Sequence, residues 1–355
     1  MKDIIRHRLY RQQLAKPEFA TAGEVVSWLG AVQGQDYLGA LWSIGQRMKK
    51  AVEADIEQAI ADKSIIRTWP MRGTLHFVAP KDIRWMLKYL TPRVMTRAAG
   101  IYRQSGLENK DFTKSAKLFE KALEGGKQLT RDEMYDVLER NKISTGDTRG
   151  LHILGNLAQK GLICFGARKG KQQTFALLEE WVPPASVPDK DEALAELALR
   201  YFTSHGPATV ADFMWWAGLT KADAVAALES VKHQLACETV EGEPYWLSPS
   251  AAAPRISAST AYLLPTYDEY GIAYKERSTI IDPLHYKKIG NFMTSSIVIN
   301  GRIEGIWRRT VNKNKVVLET KSFTSFSPKQ NSTIATAVKR YSKFIGMACT
   351  VQPLK

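Results

Sequence analysis

Cysteine and recognisable metal-ligand patterns are what this sequence most lacks. Cys164, Cys237 and Cys349 are the three cysteines in 355 residues, far apart and each in an apolar context. They offer no disulfide framework and no CxxC spacing, and they read as buried thiols. The six histidines never fall in an HxxxH or HExxH arrangement, so neither a metal nor a cofactor is expected. No apolar run approaches the length of a membrane span, and Met1-Lys2-Asp3-Ile4 leads straight into a charged amphipathic segment without a signal-peptide core. A membrane partner is excluded on this reading and a cytoplasmic protein is expected. A long heptad seam is also missing, which points away from a dimerisation helix and towards a monomer.

Basic residues outnumber acidic ones at the two ends. Residues 1–100 carry 16 Lys and Arg against 9 Asp and Glu, residues 101–300 carry 23 against 25, and residues 301–355 carry 11 against 2. The net charge of +14 is therefore gathered in two regions distant in sequence. Lysines and arginines converging in this way are what a phosphate backbone requires, since each phosphate contact releases counterions. For any single run the bland alternative is a solvated face.

What is present is a recurring pattern. A hydrophobic content of 44% over this length is enough for two or three well-buried domains. Residues 3–15 read as a helix stopped before Pro17. Thr21-Ala22-Gly23-Glu24 has capping-box spacing and opens a helix over Val25–Gly30, followed by helices at Tyr37–Met48 and Ala54–Ala61. The runs Ile65–Trp69 and Thr74–Val78 flank a Pro/Gly-containing turn and read as a hairpin, which Lys81–Leu90 and Pro92–Arg103 close as helices. Helices and a hairpin return over 105–184, with a basic hairpin tip at Arg168-Lys169-Gly170-Lys171-Gln172. They return again over 185–250, where residues 201–250 carry only 2 Lys and Arg against 6 Asp and Glu. That acidic third unit reads as scaffold or protein contact, not as a surface for phosphates. After a Pro/Ala/Ser linker at Ser248–Ser257 the pattern turns to strands, with an Asn300-Gly301 hairpin signal, a return strand over Lys315–Glu319 after Thr310–Asn314, and a last helix over Ile334–Ile345. The expected fold is α+β. Mostly helical tandem winged-helix units at 1–104, 105–184 and 185–250 precede a small β-barrel-like or curled-sheet domain at 258–355.

The stretch Gln33-Gly34-Gln35-Asp36 is a polar cluster between two apolar helices, and its flanks Val25-Val26-Trp28-Leu29 and Leu38-Leu41-Trp42-Ile44 belong in a core. Two readings are open for it: helix capping by Gln33 and Asp36, or carboxamides facing a cleft. Three motifs in order, Gln33-Gly34-Gln35, Arg72-Gly73-Thr74-Leu75-His76 and Leu263-Leu264-Pro265-Thr266-Tyr267-Asp268-Glu269, set in the tandem architecture, resemble the AlkZ-like family over nearly the whole chain. Its members are winged-helix DNA-binding proteins, and those studied are DNA glycosylases that remove bulky N7-alkylated purines, some unhooking interstrand crosslinks; no lysine here stands out as a Schiff-base nucleophile, so a monofunctional glycosylase is expected. The family's active-site signature is Gln, an aliphatic residue, then Gln or Asp. Gln33 and Gln35 match its outer positions, and Gly34 replaces the aliphatic residue at its centre.

The resemblance implies a DNA repair hydrolase acting on alkylation damage in double-stranded DNA. Gln33 and Gln35 would be catalytic, and Asp36 would assist as a base or cap the next helix. A carboxamide oxygen can accept a hydrogen bond from water and turn its dipole towards a sugar cation. Trp69 would stack on a base or pack in the core, and Arg72 and His76 would contact phosphate or brace the hairpin. Arg168, Lys169 and Lys171, with Arg308, Arg309, Lys313 and Lys315, are the backbone-binding candidates. For Asp268-Glu269 a structural joint outweighs a paired-carboxylate role, because Tyr267 and Tyr270 flank the pair. The competing reading of the whole chain is a non-catalytic winged-helix DNA-binding protein such as a transcriptional regulator.

Overall fold

The computed structural model describes residues 2–249, 260–289, 294–313 and 315–354. Most of the expected Ser248–Ser257 linker, and Asn314 in the expected turn, lie outside the described residues. The chain packs as two units, Met1–Ile56 together with Leu194–Lys355, and Glu57–Ala193. The first unit thus draws on both ends of the sequence. It unites the start of the 1–104 segment with the strand-rich 258–355 segment.

In the first unit the helix Ala22–Leu29 starts where the capping box places it. Glu24 N–H donates to Thr21 Oγ1 at 3.2 Å, and Thr21 N–H donates to the Glu24 carboxylate at 2.8 Å. Such a cap stabilises a helix by about 1 kcal/mol. The helix stops at Gly30, whose φ of 78° lies in the left-handed region that favours glycine and whose neighbour is the Trp216 ring. Val32–Gln33 is extended, and Asp36 caps the next helix, Tyr37–Gly45, by accepting from Gly39 N–H at 3.2 Å. Lys190–His205 carries the chain back into this unit, followed by Val210–Ala217, Lys221–Val231 and the hairpin Ala236–Val240 with Glu243–Leu247.

The strand-rich end forms a five-stranded sheet in the order Cys349–Pro353, Val316–Ser322, Arg302–Val311, Ser296–Ile299, Ala261–Leu264. Neighbours are antiparallel except Val316–Ser322 and Cys349–Pro353, which run parallel. This last strand was not foreseen; it extends the sheet at one end, and Ala261–Leu264 stands at the other. The helix Pro328–Ile345 lies on Ala261–Leu264 and on Tyr37–Gly45. Trp42 fixes the joint: its ring meets Tyr341 and Phe344 at 5.3 and 5.1 Å, and its indole N–H donates to Leu263 O at 2.7 Å. On the other side Ile5 and Leu9 of the first helix, Lys2–Arg11, which ends short of the expected 3–15, pack with Tyr262, Tyr270, Val298 and Ile303.

The second unit contains the hairpin Ile66–Met71 with Thr74–Val78. Its turn is Arg72-Gly73, both with positive φ (56° and 76°), the pair of values a two-residue hairpin of this twist needs. Pro70, expected in the turn, lies inside the first strand, where the register shifts between Thr68 and Met71 and no ladder N–H is required. Helices Ile83–Leu90 and Pro92–Gln104 follow. Then come Asn109–Leu123, Arg131–Arg140 and Arg149–Gln159, with a sheet ordered Leu129–Thr130, Thr174–Leu177, Ile163–Phe165. Phe119, Met134, Leu138, Ile153, Leu157 and Ile163 close the core between them.

The expectation of three buried thiols needs correcting. Cys164 is buried and Cys349 half-buried, but Cys237 is exposed. It sits in a two-stranded hairpin, where a second layer would be needed to cover both faces.

Candidate active site

Gln33 ends a two-residue extended stretch and is 7% exposed, whereas Gln35, beyond the buried Gly34, is exposed. Gly34 does not use the left-handed region, so its backbone is one that other residues also adopt. What holds this loop is a set of contacts from distant segments. Gln33 N–H donates to Glu269 Oε1 at 2.9 Å. Glu269 is fully buried, and its second oxygen accepts from the Trp216 indole N–H at 2.9 Å. His205 Nε2 stands 3.7 Å from that same oxygen. Ser204 Oγ donates to Arg200 O at 2.7 Å and meets His205 Nδ1 at 2.8 Å, so the proton on that nitrogen points at the hydroxyl oxygen. The imidazole lies flat on Tyr201, with ring centroids 5.0 Å apart. Burial lowers the His205 pKa against the opposing pull of Glu269.

Asp268, the neighbour of Glu269, has a different task. Arg47 Nη1 and Nη2 donate to its two oxygens, each at 2.8 Å, and Ser43 Oγ donates at 2.7 Å. Both charges are buried. Arg47 also donates to Gln12 O and Ser43 O, so the guanidinium links the first helix, the Tyr37–Gly45 helix and the turn before Glu269. A buried carboxylate this well paired is a structural clasp. The two adjacent acids therefore look in different directions, Asp268 to the scaffold and Glu269 to the Gln33 backbone.

On the far side of the loop Asp36 is held twice. It caps its helix, and Arg309 Nη2 donates to its oxygens at 3.2 and 3.4 Å. Arg309 also reaches Tyr341 Oη at 3.2 Å. Arg309 thus braces the loop from the strand Arg302–Val311, while Arg308, Lys313 and Lys315 are exposed on that strand and just beyond it.

The remaining candidates belong to the second unit. Trp69 is 8% exposed and packs on Phe165 at 5.1 Å; with Arg67, Leu75, Phe175 and Lys171 it lines a cavity of 380 Å³. Arg72 Nη2 meets His76 Nε2 at 2.8 Å, and His76 Nδ1 lies 2.9 Å from Thr74 O. The carbonyl accepts a hydrogen bond from Nδ1–H, which leaves Nε2 to accept from the guanidinium. His76 has no exposed surface. At the basic tip Arg168 pairs with Glu57 at 2.6 Å, Lys169 with Glu133 at 3.2 Å, and Lys171 is exposed. Sequence reasoning singled out Gln33, Gln35 and Asp36 but missed Arg47, His205 and the role of Glu269. Their one signal was charge and polarity inside apolar helical segments.

This fold is shared with a DNA glycosylase. The structure matches that of the Streptomyces sahachiroi DNA glycosylase AlkZ with a TM-score of 0.79 and 22% identity, covering 99% of each chain. The sequence is also 25% identical over 335 residues to the interstrand DNA cross-link repair glycosylase of Streptomyces sahachiroi, covering 86% of this chain and 87% of that one. Residues 26–344 match the AlkZ-like DNA glycosylase pattern, and the chain belongs to that family of enzymes. Among the described residues no group of acids, histidines and cysteines suited to a metal ion is present, and no helix is long and apolar enough to cross a membrane.

Proposed function

We propose that the chain is a monofunctional DNA repair glycosylase that hydrolyses the N-glycosidic bond of N7-alkylated purines in double-stranded DNA, bulky adducts and crosslinked bases included. The observation that carries this reading is the anchored loop. Gln33 is fixed through its backbone N–H by a buried carboxylate, and Asp36 is clamped by Arg309, with the exposed Gln35 between them. An N7-alkylated purine is already a cationic leaving group. The C1′–N9 bond breaks with its electron pair passing to the purine, which loses its charge, and a cationic sugar remains. Water then adds to C1′ and gives up a proton to solvent. The protein has to place that water and stabilise the cation, and carboxamide oxygens of Gln33 and Gln35 suit both tasks without a strong base. Both Asp36 oxygens already accept hydrogen bonds, which favours a bracing role over proton abstraction. The order helix, strand, helix, helix, hairpin over 109–177, with its first strand paired to its last, supports a winged-helix reading of that segment. Lys169, Lys171, Arg308, Lys313 and Lys315 then supply phosphate contacts.

The test is abasic-site formation in duplex DNA carrying N7-methylguanine or a bulkier N7 adduct, for the wild type and for Gln33→Ala/Gln35→Ala. The wild type should release base, and the double variant should lose at least about a hundredfold in single-turnover rate while its duplex affinity holds. Equal rates would sink the assignment. Binding without base release across all adducts would instead favour a non-catalytic DNA-binding protein.

A further inference from the structure

Glu269 stands outside the Gln-x-Gln signature, yet it makes a direct hydrogen bond to that signature's backbone. Its fully buried side chain accepts from Gln33 N–H on one oxygen and from the Trp216 indole on the other, both at 2.9 Å, with His205 Nε2 3.7 Å from the second. Both donors come from fixed places. The Trp216 ring is seated against Gly30 and lies 5.0 Å from Tyr201, and Gln33 follows the stop at Gly30 by three residues. Among uncharged or acidic side chains of this length only a carboxylate can accept from both. An amide offers one acceptor, and in either orientation its NH2 would confront an N–H. Burying a carboxylate is costly, and the clasp on Arg47 is made by the neighbouring Asp268, so Glu269 is not needed for that ion pair.

We propose that Glu269 is a positioning residue for base release, holding the Gln33 backbone, and with it the Gln33–Gln35 spacing, through a shared carboxylate whose second oxygen is locked by Trp216. The role deepens the glycosylase reading and rests on it. It also answers the departure at Gly34. Where the family pattern has an aliphatic side chain that anchors the loop in the core, this loop is tied down through its backbone one residue earlier. Side-chain anchoring at the central position is then dispensable, and glycine is tolerated.

Three variants test the role: Glu269→Gln, Trp216→Phe and the two combined. With Glu269→Gln, single-turnover base release should fall at least about tenfold, with duplex Kd within about twofold, as expected when a reacting geometry loosens without loss of binding surface. Trp216→Phe removes the competing donor and also trims a fully buried ring that packs on Tyr201, so the rate of this variant alone is the baseline for the double variant. In its background the glutamine can turn its one carbonyl oxygen to Gln33, so the double variant should return to the rate of Trp216→Phe alone. A merely structural role would make the losses add instead. Hydrogen exchange at the Gln33 amide gives a readout that needs no substrate: it should quicken in Glu269→Gln and slow again in the double variant. Wild-type rate and unchanged exchange in Glu269→Gln, or additive losses in the double variant, would overturn the proposal. If the wild type releases no base from any adduct while the exchange pattern holds, the glycosylase reading fails and the anchoring of Gln33 by Glu269 stands.

Discussion

Burial holds the His205 imidazole below the ordinary histidine value of 6.5, and that displacement has a sign that can be measured. Above pH 6.5 both the folded and the unfolded histidine are neutral. As the pH falls below it, the unfolded chain takes up a proton that the folded one refuses, so stability drops until the folded pKa is reached and then no further from this group. The groups acting on the imidazole are Glu269, which opposes the shift, and Arg47 and Arg8, which reinforce it. Urea unfolding between pH 7 and 5 should therefore show a falling midpoint, and His205→Phe, which keeps the stacking on Tyr201, should flatten part of that slope. The proposed site residues Gln33, Gln35 and Asp36 stand out in the sequence because a polar cluster between two apolar helices is anomalous within a short window. Glu269 could not be assigned its partner in the same way, because the residue it holds is 236 positions away and nothing local distinguishes it from Asp268.

Among the elements, turns and caps were the most legible, since their chemistry is complete within four residues. Thr21 with Glu24 forms the reciprocal cap its spacing announces, and Thr130 with Glu133 forms another of the same kind. Pro70 shows the limit of such reading: proline marks a turn only when nothing else excuses its missing N–H, and here a register shift does. The Asn300-Gly301 hairpin does more than reverse the chain. Both residues have positive φ, and a Cβ on Gly301 would lie 2.1 Å from Ile5 Cγ2 and 3.1 Å from Tyr270 Oη. The turn is thus a packing surface for the first helix, and Tyr270 donates to Gly301 O at 2.7 Å. Gly301→Ala combines overpacking with a strained backbone and should destabilise the protein by about 2–3 kcal/mol in denaturant unfolding. A loss below about 0.5 kcal/mol would mean the first helix gives way freely. The strand Cys349–Pro353 was illegible because its pairing is parallel and long-range, with little alternation of burial to betray it.

For the whole molecule, charge is the property the sequence declared most directly, and folding has divided it into two kinds. Some candidate cations are spent internally, Arg309 on Asp36 and Arg168 on Glu57, while Arg308, Lys313 and Lys315 are exposed near one end of the sheet. Duplex affinity should fall steeply with salt, and Lys313→Gln/Lys315→Gln should make the slope of log Kd against log salt shallower by about 2 if both meet phosphates. An unchanged slope would remove that end of the sheet from the DNA-binding surface. Repeated helix–hairpin patterns suggest units in succession, whereas packing gathers Met1–Ile56 with Leu194–Lys355 and makes a separate unit of Glu57–Ala193, the stretch that separates those two segments in sequence. That interleaving has a bearing on how the protein is made. On a ribosome, Gln33 emerges early and Glu269 only after most of the chain has been synthesised, so a nascent or prematurely terminated polypeptide would display the glutamines without the carboxylate that fastens them. Competence to cut a glycosidic bond would then arrive late in synthesis, after the intervening unit has had time to fold.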